Sequence, residues 1–125
     1  VQGSWLIWTG SALIGLWGLA HLVVTARIVD GFPPLDGWHR RTLLMEWVAE
    51  GLTLLFLGGL AALVSVSAGA ATPLRDTVVR ACSLFLLVLA AWSRMTGARG
   101  GPLPMRLCPL VKTAAAALLW VGTTA

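Results

Sequence analysis

The chain has 125 residues, 58% hydrophobic and 11% charged, with a mean hydropathy of +0.85. Soluble domains carry about 25% charged residues, so this composition excludes an ordinary soluble fold: a chain this short cannot hide so much apolar surface, whereas a bilayer can. The reading is all-α, an integral membrane four-helix up-down bundle, with residues 1–125 forming a single transmembrane domain. The formal net charge is +4 and the pI about 10.6. In a soluble protein that balance would suggest nucleic acid, but a basic face with interleaved polar residues is missing, so no nucleic-acid partner is expected. Instead the basic residues flank apolar runs, where they anchor spans against anionic headgroups.

The first expected span covers 5–28. It carries no charge before Arg27 and holds enough residues to cross a hydrocarbon core, which takes about 20. It exceeds the roughly 7–15 apolar residues of a signal h-region, so a retained span is expected. Ser11, Gly15 and Gly18 fall on neighbouring turns and favour close helix approach. His21 is the one titratable group inside this run, and Trp17, Gly18 and Thr25 share its face.

Asp30 to Gly37, with two prolines and two glycines, is a turn-rich connection. Trp38, His39, Arg40 and Arg41 then form an aromatic and basic anchor of the kind found at headgroup level. The second expected span is 42–67, with Thr42 as its cap. Glu46 and Glu50 lie four apart inside it, on one face with Thr53 and Leu57. Gly58 and Gly59 are expected at a close helix contact.

Ala68 to Pro73 reads as a short turn joining antiparallel neighbours. The third span, 74–93, opens with Arg75, Asp76 and Arg80, and the acid-first spacing of Asp76 and Arg80 suits a helical ion pair. Arg94 to Pro104 is a loop. The fourth span, 105–122, tolerates Pro109 in its first turn. Lys112 lies about one turn inside, and Ala114 to Ala117 make a smooth packing surface. Cys82 and Cys108 fall near opposite ends of their spans, so both are expected to be free thiols.

Seven of the nine basic residues, Arg27, Arg40, Arg41, Arg94, Arg99, Arg106 and Lys112, belong to the first and third connections or lie beside them. The positive-inside rule then places those connections in the cytoplasm and both termini outside, in a multi-pass protein of the plasma (inner) membrane.

This topology brings His21, Glu46, Glu50 and Lys112 to one depth, with Arg94 and Arg106 at the rim. A carboxylate within a span is expensive, and such groups face a bundle interior or a wet cavity. The expected catalytic residues are Glu46, Glu50 and His21, with Trp17, Trp47, Lys112, Arg94 and Arg106 binding substrate. Each also has a structural reading: Lys112 snorkels to headgroups, Glu46 pairs with Arg40 or Arg41, and His21 bonds a neighbouring backbone group. Two carboxylates on one face repel as anions, so one is expected to hold a proton and act as acid, with His21 as relay. That chemistry suits isomerisation or cyclisation of an isoprenoid- or sterol-like lipophilic small molecule. The alternative is a non-enzymatic accessory subunit or the protomer of a small proton-coupled transporter, in a homo-oligomer or with a membrane partner.

No cofactor is expected. One histidine with two glutamates offers metal-ligand types, but the Glu-x-x-His pairs of di-iron bundles are missing, so no metal is assigned.

The run Glu50-Gly-Leu-Thr-Leu-Leu-Phe-Leu-Gly-Gly-Leu60, after a first span rich in glycine, resembles the second helix of DoxX-like four-helix membrane proteins. The resemblance covers two spans. It implies the four-helix architecture and carries no residue-level function.

Overall fold

The structure is a computed structural model that describes residues 2–68 and 72–125. It is all-α, with α1 (Gln2–Asp30), α2 (Gly37–Ala68), α3 (Pro73–Met95) and α4 (Leu103–Gly122). All four are long and apolar enough to cross a membrane. Each contains its expected span and extends beyond it at one or both ends. The turn expected over 68–73 falls mainly on 69–71, outside the described residues.

Contacts between the helices make consecutive elements antiparallel. A Cβ on Gly18 would lie 2.7 Å from the Gly51 carbonyl oxygen, and one on Gly58 would lie 2.7 Å from that of Ser11. The α1 and α2 backbones therefore touch at two levels, which only missing side chains permit. A Cβ on Gly15 would meet open space, although its amide lies beside Gly58, and Gly59 meets open space too, both against the expected contacts. One residue along a helix rotates the face by about 100°, so two adjacent glycines cannot both serve one neighbour.

Gly3 and Gly122, and Gly10 and Ala115, make similar approaches between α1 and α4. Ser83 donates to the Ala116 carbonyl at 2.7 Å between α3 and α4. Within the alanine run only Ala115 and Ala116 are buried. Ile7, Ile14, Leu54, Leu86 and Leu119 fill the core between these seams. The α2–α3 seam is the slightest of the four. Outward faces stay apolar: Val23 is 76% exposed, and Phe56, Leu63, Val88 and Leu110 are exposed too.

Three local expectations are corrected. The cap of α2 is Asp36, not Thr42. One Asp36 carboxylate oxygen accepts the backbone N–H groups of Trp38 and His39 at 3.0 and 2.9 Å, so the helix begins at Gly37. Asp76 pairs with Arg75 at 2.8 Å rather than with Arg80. The Arg80 guanidinium instead reaches Thr123 at 2.9 Å and lies over the Trp120 ring, tying α3 to the end of α4. Pro109 lies in the second turn of α4 rather than the first, because the helix already opens at Leu103 after Pro102. Cys82 and Cys108 are both free and buried.

Candidate functional site

The end of the bundle that carries the α1–α2 and α3–α4 connections holds a cavity of about 750 Å³. All four helices line it: Trp17 and His21 from α1, Glu46, Trp47 and Glu50 from α2, Trp92 and Ser93 from α3, and Cys108 from α4. It forms where α2 and α3 part, since the tight α1–α2 seam leaves its space on the other side of α2.

His21 is fixed by its own helix. Its Nδ1 lies 3.1 Å from the Trp17 carbonyl oxygen four residues earlier. A carbonyl only accepts, so in the neutral ring Nδ1 carries the proton and Nε2 keeps a lone pair. Trp47 stacks on the imidazole, with centroids 5.3 Å apart and planes 23° from parallel, and Trp17 meets it edge-on. These contacts point Nε2 at Glu50 Oε2, 4.0 Å away, and at Cys108 Sγ, 3.8 Å away.

Glu50 and Lys112 form an ion pair across the bundle, through Lys112 Nζ and Glu50 Oε1. The expected snorkelling of Lys112 does not occur. It is 0% exposed, and its Nζ also donates to Ser93 Oγ at 2.5 Å. A buried ammonium needs a counter-charge, and Glu50, whose side chain is 30% exposed towards the cavity, supplies it. Neither residue is explained by packing alone.

Cys108 completes the group. Its Sγ accepts the Trp17 indole N–H at 3.4 Å and lies 3.8 Å from Glu50 Oε1. His21, Glu50 and Cys108 each present a donor atom, all within 4.8 Å of one another, and form a metal-capable group among the described residues.

Neither a protein-family model, nor a curated protein, nor a solved structure gives a match to this chain.

Of the residues expected from sequence, His21, Glu50 and Lys112 converge from three helices, with Trp17 and Trp47 around them. Glu46 lines the cavity too but is exposed, and no ion pair to Arg40 or Arg41 forms among the described residues. Arg40 bonds Asp30 at 2.8 Å, clipping the end of α1 to the start of α2. Arg94 and Arg106 do not join the group: they line a separate hollow of about 700 Å³ between α3 and α4. Their sequence depth is right, but they lie on another face of the bundle.

Cys108 and Ser93 escape a sequence reading. A cysteine in an apolar run reads as a small core residue. The available signal was its spacing, four residues before Lys112 and therefore on the same face of α4.

Proposed function

We propose that the chain is a multi-pass protein of the plasma (inner) membrane that moves a proton on a lipophilic small molecule bound in this cavity. Insertion is supported by the apolar outward faces of all four helices. The cavity end carries Arg27, Arg40, Arg41, Arg94, Arg99 and Arg106, which under the positive-inside rule favours the cytoplasmic side for that end and the outer side for both termini.

The observation that carries the functional reading is the meeting of His21 and Glu50 on one wall of a mainly apolar cavity, with the buried Lys112 ammonium paired to Glu50 behind that wall. Small-molecule sites are typically apolar hollows of about 300–1,000 Å³ with a few converging polar groups. Moving a double bond requires a base to take a proton from one carbon and an acid to return it to another. His21 offers the base in its Nε2 lone pair, next to a carboxylate that steadies the imidazolium formed. The imidazolium returns the proton to the second carbon, and the buried Lys112 ammonium holds the Glu50 carboxylate in place behind it. The Trp47 ring, stacked on the imidazole, adds an aromatic face to the wall for an otherwise greasy ligand. Glu46 stands at the mouth and passes protons between cavity and water. The slight α2–α3 contact gives a substrate dissolved in the bilayer its way in.

The test is solvent deuterium incorporation. The full chain is reconstituted with the total neutral-lipid extract of its expression membranes in deuterium oxide, and the lipids are read by mass spectrometry. The wild type is expected to label an isoprenoid- or sterol-type species, with about a hundredfold or greater loss in Glu50→Gln and His21→Gln, the lower end of what general acid–base groups contribute. Labelling that persists in both variants, or none with the folded wild type, removes this reading.

A further inference from the structure

Cys108 is not used by the acid/base chemistry above, yet its surroundings are not those of a core cysteine. Cys82 shows the ordinary case: it is buried in the central apolar cluster beside Val79 and Leu86. Cys108 is as well buried, at 6% exposure, but faces an indole N–H, an imidazole nitrogen and a carboxylate.

We propose that His21 Nε2, the Glu50 carboxylate and Cys108 Sγ bind a zinc-type divalent ion, with a fourth position open to the cavity. Distance supports this first. Bonds of about 2.0–2.3 Å at tetrahedral to trigonal angles place donors about 3.3–3.8 Å apart. Here sulfur lies 3.8 Å from His21 Nε2 and 3.8 Å from a Glu50 oxygen, and Nε2 lies 4.0 Å from the other Glu50 oxygen. Counting one atom from each residue, the three donors lie within 4.8 Å of one another, so closing on an ion takes at most about 1 Å.

The outer contacts support it independently. Metal-binding histidines donate their second N–H to a carbonyl or carboxylate, and ligating carboxylates are themselves hydrogen-bonded. His21 Nδ1 meets the Trp17 carbonyl. Lys112 engages Glu50 Oε1, leaving Oε2 beside Nε2. The Trp17 indole N–H reaches the sulfur and stabilises negative charge there. Three donors of mixed S, N and O type with one open position match catalytic zinc sites rather than closed structural ones.

Loading the site breaks the Cys108 S–H bond, forms an S–metal bond and releases one proton to water. The ion, thiolate and carboxylate then sum to zero charge, and Lys112 adds one positive. The open position therefore favours an anion, either hydroxide or the anionic head of a lipophilic substrate. The inference needs only the three donors and their partners, and does not rest on the acid/base reading. An ion would take the Nε2 lone pair, and a bound water would replace His21 as the proton-moving group.

The experiment titrates the chelator-treated full chain in detergent with Co²⁺, followed by absorbance. The expected result is one Co²⁺ per chain with a thiolate-to-cobalt charge-transfer band, bleached by Zn²⁺. Cys108→Ser removes the band, His21→Ala weakens binding by about 100-fold or more, and Cys82→Ser changes nothing. Binding tightens as pH rises through the neutral range, because a proton is released. In the unaltered protein, Zn²⁺ is also expected to slow maleimide alkylation of Cys108 at least tenfold, which keeps the test valid should a variant misfold. No band at millimolar Co²⁺, a band that survives Cys108→Ser, or alkylation unaffected by Zn²⁺ overturns the site. None of these readouts depends on lipid labelling, so this proposal and the acid/base reading fail separately.

Discussion

The two flanks of α2 differ sharply. Against α1 it is fused by Gly18, Gly51 and Gly58, whose missing side chains let carbonyl oxygens sit where a Cβ would be. Against α3 it barely touches, and the space left over is the cavity. Lipid tails are as apolar as the helices, so helix pairing in a bilayer rests on close packing and polar contacts rather than on the hydrophobic effect. The glycine seam is the first solution. On the open side the Glu50–Lys112 pair does the holding, reaching across to α4 with Ser93 of α3 as a third hand. The closed flank fixes His21 relative to Glu50, and the open flank is where the proposed substrate would enter.

The largest expected effect tests the open flank. Glu50→Leu strands a fully buried ammonium, at a cost of about 3–5 kcal/mol. Adding Lys112→Met should recover most of that loss, because a well-packed apolar pair replaces a buried ion pair at little cost. Thermal unfolding in detergent measures both. A double variant as unstable as the single one would mean that the pair is not what holds this flank.

Next comes the closed flank. Gly18→Ala places a methyl group against the Gly51 carbonyl and the Leu55 amide, both of them backbone. The helices must separate, costing about 1–3 kcal/mol. Gly59→Ala meets open space and should stabilise by about 0.5–1 kcal/mol through helix propensity. Opposite signs for two glycines on the same helix would sharpen the contrast; equal signs would break it.

Filling the cavity separates function from stability. Thr53→Phe projects into the hollow from α2, where Thr53 otherwise bonds only the Ala49 carbonyl. Unfolding should shift by no more than about 0.5 kcal/mol, while deuterium incorporation falls by about a hundredfold, the scale of a misplaced substrate.

The smallest effect concerns pH. The backbone and side-chain hydrogen bonds from His39 hold the Asp36 carboxyl below its usual value of 3.8. A lowered pKa means a contribution that is complete above the unfolded value and lost as pH falls through the folded one. The start of α2 should therefore fray only below about pH 4, seen as faster amide exchange at Trp38 and His39. Fraying at neutral pH would show that the cap does not hold.

Much of this architecture is legible in the residues. Four apolar runs separated by Gly-Phe-Pro-Pro, the small-residue stretch 68–73 and Gly-Gly-Pro read as four helices, and Ser11, Gly18 and Gly58 mark the seam by spacing alone. The start of α2 is not visible in hydropathy, because Trp38 to Arg41 are a polar first turn held by Asp36. Depth along a helix predicted that His21, Glu50 and Lys112 meet, since 1.5 Å per residue is reliable. Rotation about the bundle axis is not encoded so simply. Arg94 and Arg106 have the right depth and the wrong face, and Cys108 has the right face but the chemistry of a core residue until its neighbours are known.

Trp17 grips His21 with its peptide carbonyl and Cys108 with its ring. Mutation can reach only one of those grips. Trp17→Phe deletes the bond to sulfur and leaves the imidazole tethered, because every amino acid brings the same carbonyl and phenylalanine keeps an aromatic ring where the indole meets the imidazole edge-on. The thiol can thus be retuned, by selection or by an engineer, without letting the histidine swing.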